Sequence, residues 1–408
     1  MSTTSRRTPK ATRKSAPQPS TIRIGTRYRS NRLSGAYDAI IIGSGIGGLA
    51  TAACLSKAGK KVLVLEQHYT AGGFTHSYSR NGYEWDVGVH YIGDVGHQQS
   101  IAKKVFDFIT DGQLHWAPMD ANYDRFFFGK DQYNLIAGKQ QFIDGLCQYF
   151  PNERKAIETY VEMLGKVADA TPLNTIDKFL PGFVSGPFNF IKKKLLPDYL
   201  NQPTWQVLRG LTSDEKLIAV LTGQWGDCGM PPKESSFLIH ALIAKHYMYG
   251  GYYPVGGASR MAETIIPVIQ QSGGDVFTYA RVTEILMEKG RAVGVMMADG
   301  QEIRSPVVIS NAGVFNTFEH LLNASVSEKT GYRKDLQTVK PSMAHLGMYI
   351  GLKGTAEELG LPKTNFWIYP DYQPEANVQR FVKDRSQPFP VVYISFPSAK
   401  DPDFARRY

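Results

Sequence analysis

Residues Asp38 to Gly73 read "DAIIIGSGIGGLATAACLSKAGKKVLVLEQHYTAGG", and this stretch narrows the choice of fold more than any other. From Ala39 to Leu55 it carries no charge over seventeen residues, which is the first requirement of a membrane span. It also holds four glycines, a serine, a threonine and several alanines, so it is short and weakly apolar for crossing a bilayer. Strand, tight turn and helix explain more of the letters. Ala39 to Ile42 is an apolar run suited to a buried parallel strand, and Gly43-Ser44-Gly45-Ile46-Gly47-Gly48 matches G-x-G-x-x-G. Ile46 to Ala58 reads as a small-residue helix stopped by Gly59, and Lys61 to Leu65 as a second strand ending at Glu66.

Each position has a task in a dinucleotide site. Gly43 permits a sharp turn, Gly45 leaves bare backbone for a pyrophosphate, and Gly48 lets the helix close on the strand. The free N–H groups of the helix N-terminus face the phosphates. Glu66 follows Gly43 by 23 residues and is placed to accept ribose hydroxyls. The order strand, glycines, helix, strand and acid is far more specific than the glycine motif alone. A second pair, Gly72-Gly73, follows soon after the acid. A long, extended FAD has use for it along the pyrophosphate and ribityl chain, whereas a simple nicotinamide dehydrogenase has not.

Composition limits the remaining classes. The net charge of +9 is local, because residues 1–36 hold nine basic groups and no acid, which leaves 37 basic against 37 acidic residues elsewhere. That Ser-, Thr- and Pro-rich tail has little to pack and reads as disordered. A transit peptide, a solvated arm and a contact with anionic lipid are all compatible with it. No basic and aromatic surface recurs in the body, which argues against nucleic acid. Cys54, Cys147 and Cys228 are widely spaced and form no ligand pattern, so no metal is expected.

With these motifs in place, the chain resembles the FAD-dependent superfamily of amine oxidases, phytoene desaturases and carotenoid isomerases. "YYPVGGASRMAETI" places Gly256-Gly257 before a helix. "GGDVFTYARVTEILMEKGRAVGVMMADGQEIRSPVVISNAG" reads as a strand-rich unit with a hairpin turn at Asp299-Gly300. "GYEWDVGVHYIGDVG", "WGDCGMPPKESSF" and "HYMYGGYYPVGGASR" resemble the retinol saturases in particular. Phe74 follows Gly73 where amine oxidases and desaturases usually carry Arg or Lys, and retinol saturases likewise lack that base. The resemblance implies cofactor contacts at Gly43, Ser44, Gly45, Gly47, Gly48, Glu66, Gln67, Gly72 and Gly73, with the backbone at Val282 against adenine. It implies FAD as cofactor, with NAD(P) an eligible electron donor, and a conjugated polyene or other isoprenoid as substrate.

The fold class expected is α/β, a Rossmann-like FAD-binding domain with a discontinuous α+β substrate domain. Its parts are a basic tail at 1–36, the FAD domain at 37–100 and 250–320, and the substrate domain at 101–249 and 321–408. "AHLGMYIGLKG" and "PFPVVYISFP" are expected to supply substrate-domain strands. The sequence stops at "SFPSAKDPDFARRY", ahead of the glycine-rich flavin cap of the superfamily, so a C-terminally truncated chain is expected. His90 and Tyr249 are the candidate proton donors, with His90 expected to titrate near neutrality. Phe183, Phe188, Phe190 and Ile191 beside Lys192-Lys193-Lys194 suit a bilayer surface, so a cytoplasmic or peripheral membrane location is expected, with organellar targeting by the tail compatible. The alternatives are a carotenoid desaturase or isomerase, a non-catalytic prenyl-binding protein of the GDP-dissociation-inhibitor type, and an inactive fragment.

Overall fold

A computed structural model describes residues 22–176 and 197–407. Ala39–Ile42 and Val62–Leu65 are buried along their whole length, as unbroken apolar strands in a parallel sheet must be. They lie inside a five-stranded, all-parallel sheet whose spatial order is Thr26–Arg27, Asp275–Thr278, Val62–Leu65, Ala39–Ile42 and Val308–Ser310. Ile40 pairs with Leu63 on one side and Val308 on the other. The strands from 275 and 308 thus enclose a pair that lies more than 200 residues earlier in the chain.

One face of this sheet is covered by the helices Ile46–Lys57 and Arg260–Gln271, which bring Leu49, Ala52 and Ala53 against Ile265 and Ile269. Small residues on the first helix allow that close approach. The other face is covered by a three-stranded antiparallel sheet, Val282–Glu288, Arg291–Met297 and Glu302–Arg304. Its Ile285, Val295 and Ile303 pack on Ile40, Ile42, Leu63 and Leu65.

A second body has a four-stranded sheet in the order Val392–Ile394, Asn365–Tyr369, Asn122–Phe128 and Asp131–Ile136. Asn365–Tyr369 runs parallel to Asn122–Phe128, and the other neighbours are antiparallel. The helices Arg154–Thr175 and Phe237–Tyr247 pack with it around Tyr123, Phe126, Tyr160 and Phe237, all buried.

Two expectations need correction. The basic tail is not outside the fold from residue 22 onward: Ile24 is buried, its N–H donates to Thr70 Oγ1 at 3.0 Å, and Thr26–Arg27 forms the edge strand of the main sheet. One apolar side chain and an open sheet edge are enough to recruit it. Ala344 to Gly354 forms no strand; Leu346, Met348 and Ile350 are exposed, while Tyr349 packs edge-on to Tyr78. The strand beside Asn122–Phe128 comes instead from Asn365–Tyr369, whose Trp367 and Tyr369 are buried. The aromatic and lysine cluster at 183–194 lies outside the described residues. Among the described residues, no helix is long and apolar enough to cross a membrane.

Candidate dinucleotide site and substrate chamber

The turn at the end of Ala39–Ile42 is built as the glycines require. Gly43 has φ +95°, and a Cβ on Gly48 would overlap the Gly43 carbonyl oxygen. The helix therefore starts against the turn, and the N–H groups of its first turn have no partner within the helix. The Asn311 amide lies over the same turn, about 3.2 Å from where a Cβ on Gly45 or Gly47 would stand. Sequence reasoning did not single out Asn311; a polar amide at the carboxyl end of a parallel strand was the available signal.

The second glycine pair sits directly on the first. Gly45 and Gly72 form a parallel bridge, and a Cβ on Gly73 would stand 2.8 Å from Gly45 Cα. The Gly72 N–H donates to the Ser44 carbonyl at 3.1 Å. Bare backbone is thus continuous across both pairs.

Glu66 is buried, and its carboxylate serves the turn. Oε2 accepts from the Ser44 N–H at 2.9 Å and the Ser44 hydroxyl at 2.7 Å, and Oε1 accepts from the His68 N–H at 2.8 Å. Oε1 keeps acceptor capacity for one more donor, so one ribose hydroxyl can be taken directly. Gln67 is exposed next to it. The Glu66 carbonyl accepts from the Ala280 N–H at 2.7 Å, which brings Val282 to the same end of the sheet. Val282 faces Met297, and the Ala298 N–H donates to the Arg281 carbonyl. That register makes Val282 and Met297 a non-hydrogen-bonded pair. Val282's own N–H and C=O point away from the hairpin, as an adenine contact needs. Glycine turn, ribose acid and outward backbone together fit an extended adenine dinucleotide.

Two segments far apart in sequence meet beside this cradle. Ile92 and Tyr252 exchange both backbone hydrogen bonds at 2.8 Å, and the Gly93 N–H donates to His246 Nε2 at 2.8 Å. Tyr91 stacks on Tyr247 with centroids 4.1 Å apart. Asp86, buried, accepts from the Ser77 hydroxyl at 2.6 Å, from the Ala258 N–H at 3.1 Å and from the Tyr253 hydroxyl. This ties the Gly256-Gly257 turn to the same wall.

Similarity to known proteins follows these elements. The NAD(P)-binding Rossmann-like domain family matches residues 41–109, which contain both glycine pairs. The human all-trans-retinol 13,14-reductase is 38% identical over 403 residues, covering 93% of this chain and 65% of the human protein. This chain is similar to the all-trans-retinol 13,14-reductases along nearly its whole length. It spans about 65% of the length of the reductases it matches. The chloroplastic prolycopene isomerase of Daucus carota is 29% identical over 396 residues, 90% of this chain and 59% of the isomerase. An oxidoreductase from Methanosarcina mazei superposes with a TM-score of 0.52 at 22% identity, over 74% of this chain and 65% of that one, and so shares the fold.

The two candidate proton donors have different surroundings. His90 packs against Tyr393 at 5.3 Å between centroids, its carbonyl accepts from Lys400 Nζ at 3.0 Å, and its buried Nδ1 has no partner. Burial, and then the Lys400 charge, push its pKa down to about 4. It is neutral at pH 7, so the expected titration near neutrality is corrected: desolvation removes the proton it would give. Tyr249 is partly exposed, edge-on to His97 and beneath Lys245 Nζ at 4.4 Å. The other tyrosines of the segment are structural: Tyr247 stacks, Tyr253 anchors Asp86, and Tyr252 fills the space over Gly96.

The second body carries a buried polar network that the sequence did not reveal. Asp124, with no exposure, accepts from Asn365 Nδ2 at 3.0 Å, Gln224 Nε2 at 2.7 Å and the Tyr91 hydroxyl at 3.0 Å. Lys400, also buried, donates to Ser395 Oγ at 2.7 Å and to Asn365 Oδ1. Burial lowers the Lys400 pKa to about 7 and raises that of Asp124. Among the described residues, no cluster of three or more His, Cys, Asp or Glu side chains could hold a metal ion.

Proposed function

We propose that the chain is an FAD-dependent oxidoreductase acting on a carbon–carbon double bond of a conjugated isoprenoid polyene, and specifically a retinol-saturase-like reductase. The observation that carries this reading is the reach of the alignment. Identity of 38% extends over 93% of the chain, so it includes the dinucleotide cradle and the aromatic wall that meets it. A cradle shared by itself would support a dinucleotide and nothing more.

In this reading the first-turn N–H groups after Gly45 hold the pyrophosphate, Glu66 Oε1 takes a ribose hydroxyl and the Val282 backbone meets adenine. Gly72 and Gly73 leave room for the chain toward the flavin ring. Bound FAD would supply two-electron, hydride-type chemistry. The protein's part is to orient the polyene, exclude water and deliver a proton. The electron donor is proposed to be NAD(P)H or a protein that it reduces. Peripheral contact with a membrane through residues 183–194 would give an insoluble substrate a short route to the site.

A carotenoid isomerase is the second reading, supported by the similarity to the Daucus carota protein over 90% of the chain. The two separate in one experiment. Protein loaded with FAD, reduced anaerobically and mixed with all-trans-retinol, is expected to shorten the conjugated chromophore and move its absorption to the blue. Unchanged retinol alongside cis-to-trans conversion of a tetra-cis carotenoid would replace the reductase with the isomerase.

A further inference from the structure

Residues 339–352 run without turn or bend and join no sheet, although "AHLGMYIGLKG" has the alternation of a strand. The segment is held near both ends. The Met343 N–H donates to the Gly229 carbonyl at 3.4 Å. Tyr349 packs edge-on to Tyr78, its hydroxyl donates to the Val87 carbonyl at 3.3 Å, and a Cβ on Gly351 would stand 2.7 Å from the Tyr83 ring. Tyr349 and Gly351 therefore face the hairpin of Ser77–Arg80 and Tyr83–Asp86.

The opposite face carries Leu346, Met348, Ile350 and Leu352, all exposed, Leu346 by 82% and Met348 by 81%. Among the described residues, the N–H groups of Ala344 to Leu352 have no backbone acceptor. An apolar row above free peptide groups is what an unpaired strand presents. A lipid surface or a polyene would cover the side chains and leave the peptide groups without partners. Another strand satisfies both.

Which strand follows from the residues. Leu346-Gly347-Met348-Tyr349-Ile350-Gly351-Leu352 reads the same in both directions, except that Met348 mirrors Ile350. Laid antiparallel on a second copy about a two-fold axis at Tyr349, it sets Leu346 opposite Leu352, Met348 opposite Ile350 and Gly347 opposite Gly351. Every apolar residue of the free face then has an apolar residue across from it. Glycine meets glycine on the side that faces the hairpin. His345 falls opposite Lys353 at the exposed rim.

The backbone agrees with that register. In an extended strand, alternate residues turn their peptide groups to opposite edges. The Trp85 indole N–H donates to the Ile350 carbonyl at 3.4 Å, so the edge shared by Leu346, Met348, Ile350 and Leu352 abuts the hairpin. The other edge belongs to Gly347, Tyr349 and Gly351. A two-fold axis at Tyr349 makes these the hydrogen-bonded pairs, Tyr349 with its own copy and each Gly347 with the Gly351 of the other chain.

We propose that Leu346 to Leu352 is a self-association surface of this chain, occupied by the same segment of a second copy in antiparallel, two-fold symmetric pairing. The interface stands beside the cradle, because Gly88, next to Val87, packs on Phe74, the residue after the second glycine pair. It does not depend on the reductase reading.

Sedimentation of the purified 408-residue chain is expected to show a reversible monomer–dimer equilibrium with a dissociation constant below about 100 μM. Hydrogen exchange at Gly347, Tyr349 and Gly351 should slow at least about tenfold from dilute to concentrated samples, while Met348 and Ile350 keep exchanging. Met348→Lys and Ile350→Glu test the register. Both side chains are exposed, so neither substitution should move the melting temperature by more than about 2 °C. Each variant alone should dimerise at least about 30-fold more weakly, because its charge is set against an apolar side chain. Mixed, the two should form a heterodimer, since the new ammonium of one falls opposite the new carboxylate of the other. Met348→Lys mixed with Leu346→Glu, whose charges are out of register, should not.

A chain that sediments as a monomer at every concentration up to about 100 μM would overturn the proposal, and so would a dimer that Met348→Lys leaves intact. Failure of the opposed pair to recover dimerisation would overturn the register and the pairing with it. A monomer that binds phosphatidylcholine–phosphatidylserine vesicles, and loses that binding in Met348→Lys, would give the face to a lipid surface instead.

Discussion

Gly48→Ala is expected to abolish dinucleotide binding and to destabilise the protein by roughly 3 kcal/mol. The added methyl group has nowhere to go, because it would overlap the Gly43 carbonyl oxygen and press on the Asn311 amide. Both first neighbours are fixed: Gly43 by its left-handed φ of +95°, and Asn311 by an N–H bond to the Ile42 carbonyl at 2.8 Å. The turn can relieve the overlap only by moving away from the helix N-terminus, which separates the phosphate-binding amides. FAD affinity should fall at least about 100-fold, the equivalent of that strain. A thermal melt and an FAD titration of the same preparation check both parts. Wild-type affinity in the alanine variant would mean that the cofactor does not use this turn.

Asp124→Ala should cost about 3–5 kcal/mol, the usual consequence of removing one member of a buried charged network. Three donors, Asn365 Nδ2, Gln224 Nε2 and the Tyr91 hydroxyl, would lose their acceptor together. Lys400 would lose the carboxylate that raises its pKa against desolvation. Asp124→Asn should cost less, because the Asn amide oxygen can still accept from some of these donors. Chemical denaturation of both variants measures the difference. Equal stability of the wild type and the alanine variant would show that the network does not hold the two strands together.

How far these features could be read from the sequence depends on what kind of constraint each one obeys. The glycine cradle was legible because backbone geometry dictates residue type: no side chain fits at Gly48, and Gly43 needs positive φ. Glu66 was legible from its spacing, although its bonds to Ser44 and His68, which also tie it to the turn, were not. Val282 came only from resemblance, since its outward backbone depends on a hairpin register that no local pattern reveals. Asp124 lies in "NYDRFFF", where strand alternation would send Tyr123 and Asp124 to opposite faces; both are buried, beside a register shift between Asn122 and Asp124. The strand Asn365–Tyr369 was missed because its partner lies more than 200 residues earlier. His90 was misjudged for a similar reason, because Lys400 and Tyr393, which desolvate and disfavour its charged form, arrive from about 300 residues away.

The central claim is that residues 43–73 and Val282 hold FAD. The most direct measurement is an equilibrium titration of the purified 408-residue chain with FAD, followed by visible absorption and by quenching of flavin fluorescence, with NADP as the comparison ligand. The account predicts saturable flavin binding with a perturbed spectrum and much weaker NADP binding, because the Glu66 carboxylate repels a 2′-phosphate. Flavin that stays free in solution at every concentration, or NADP that binds as well as FAD, would contradict it.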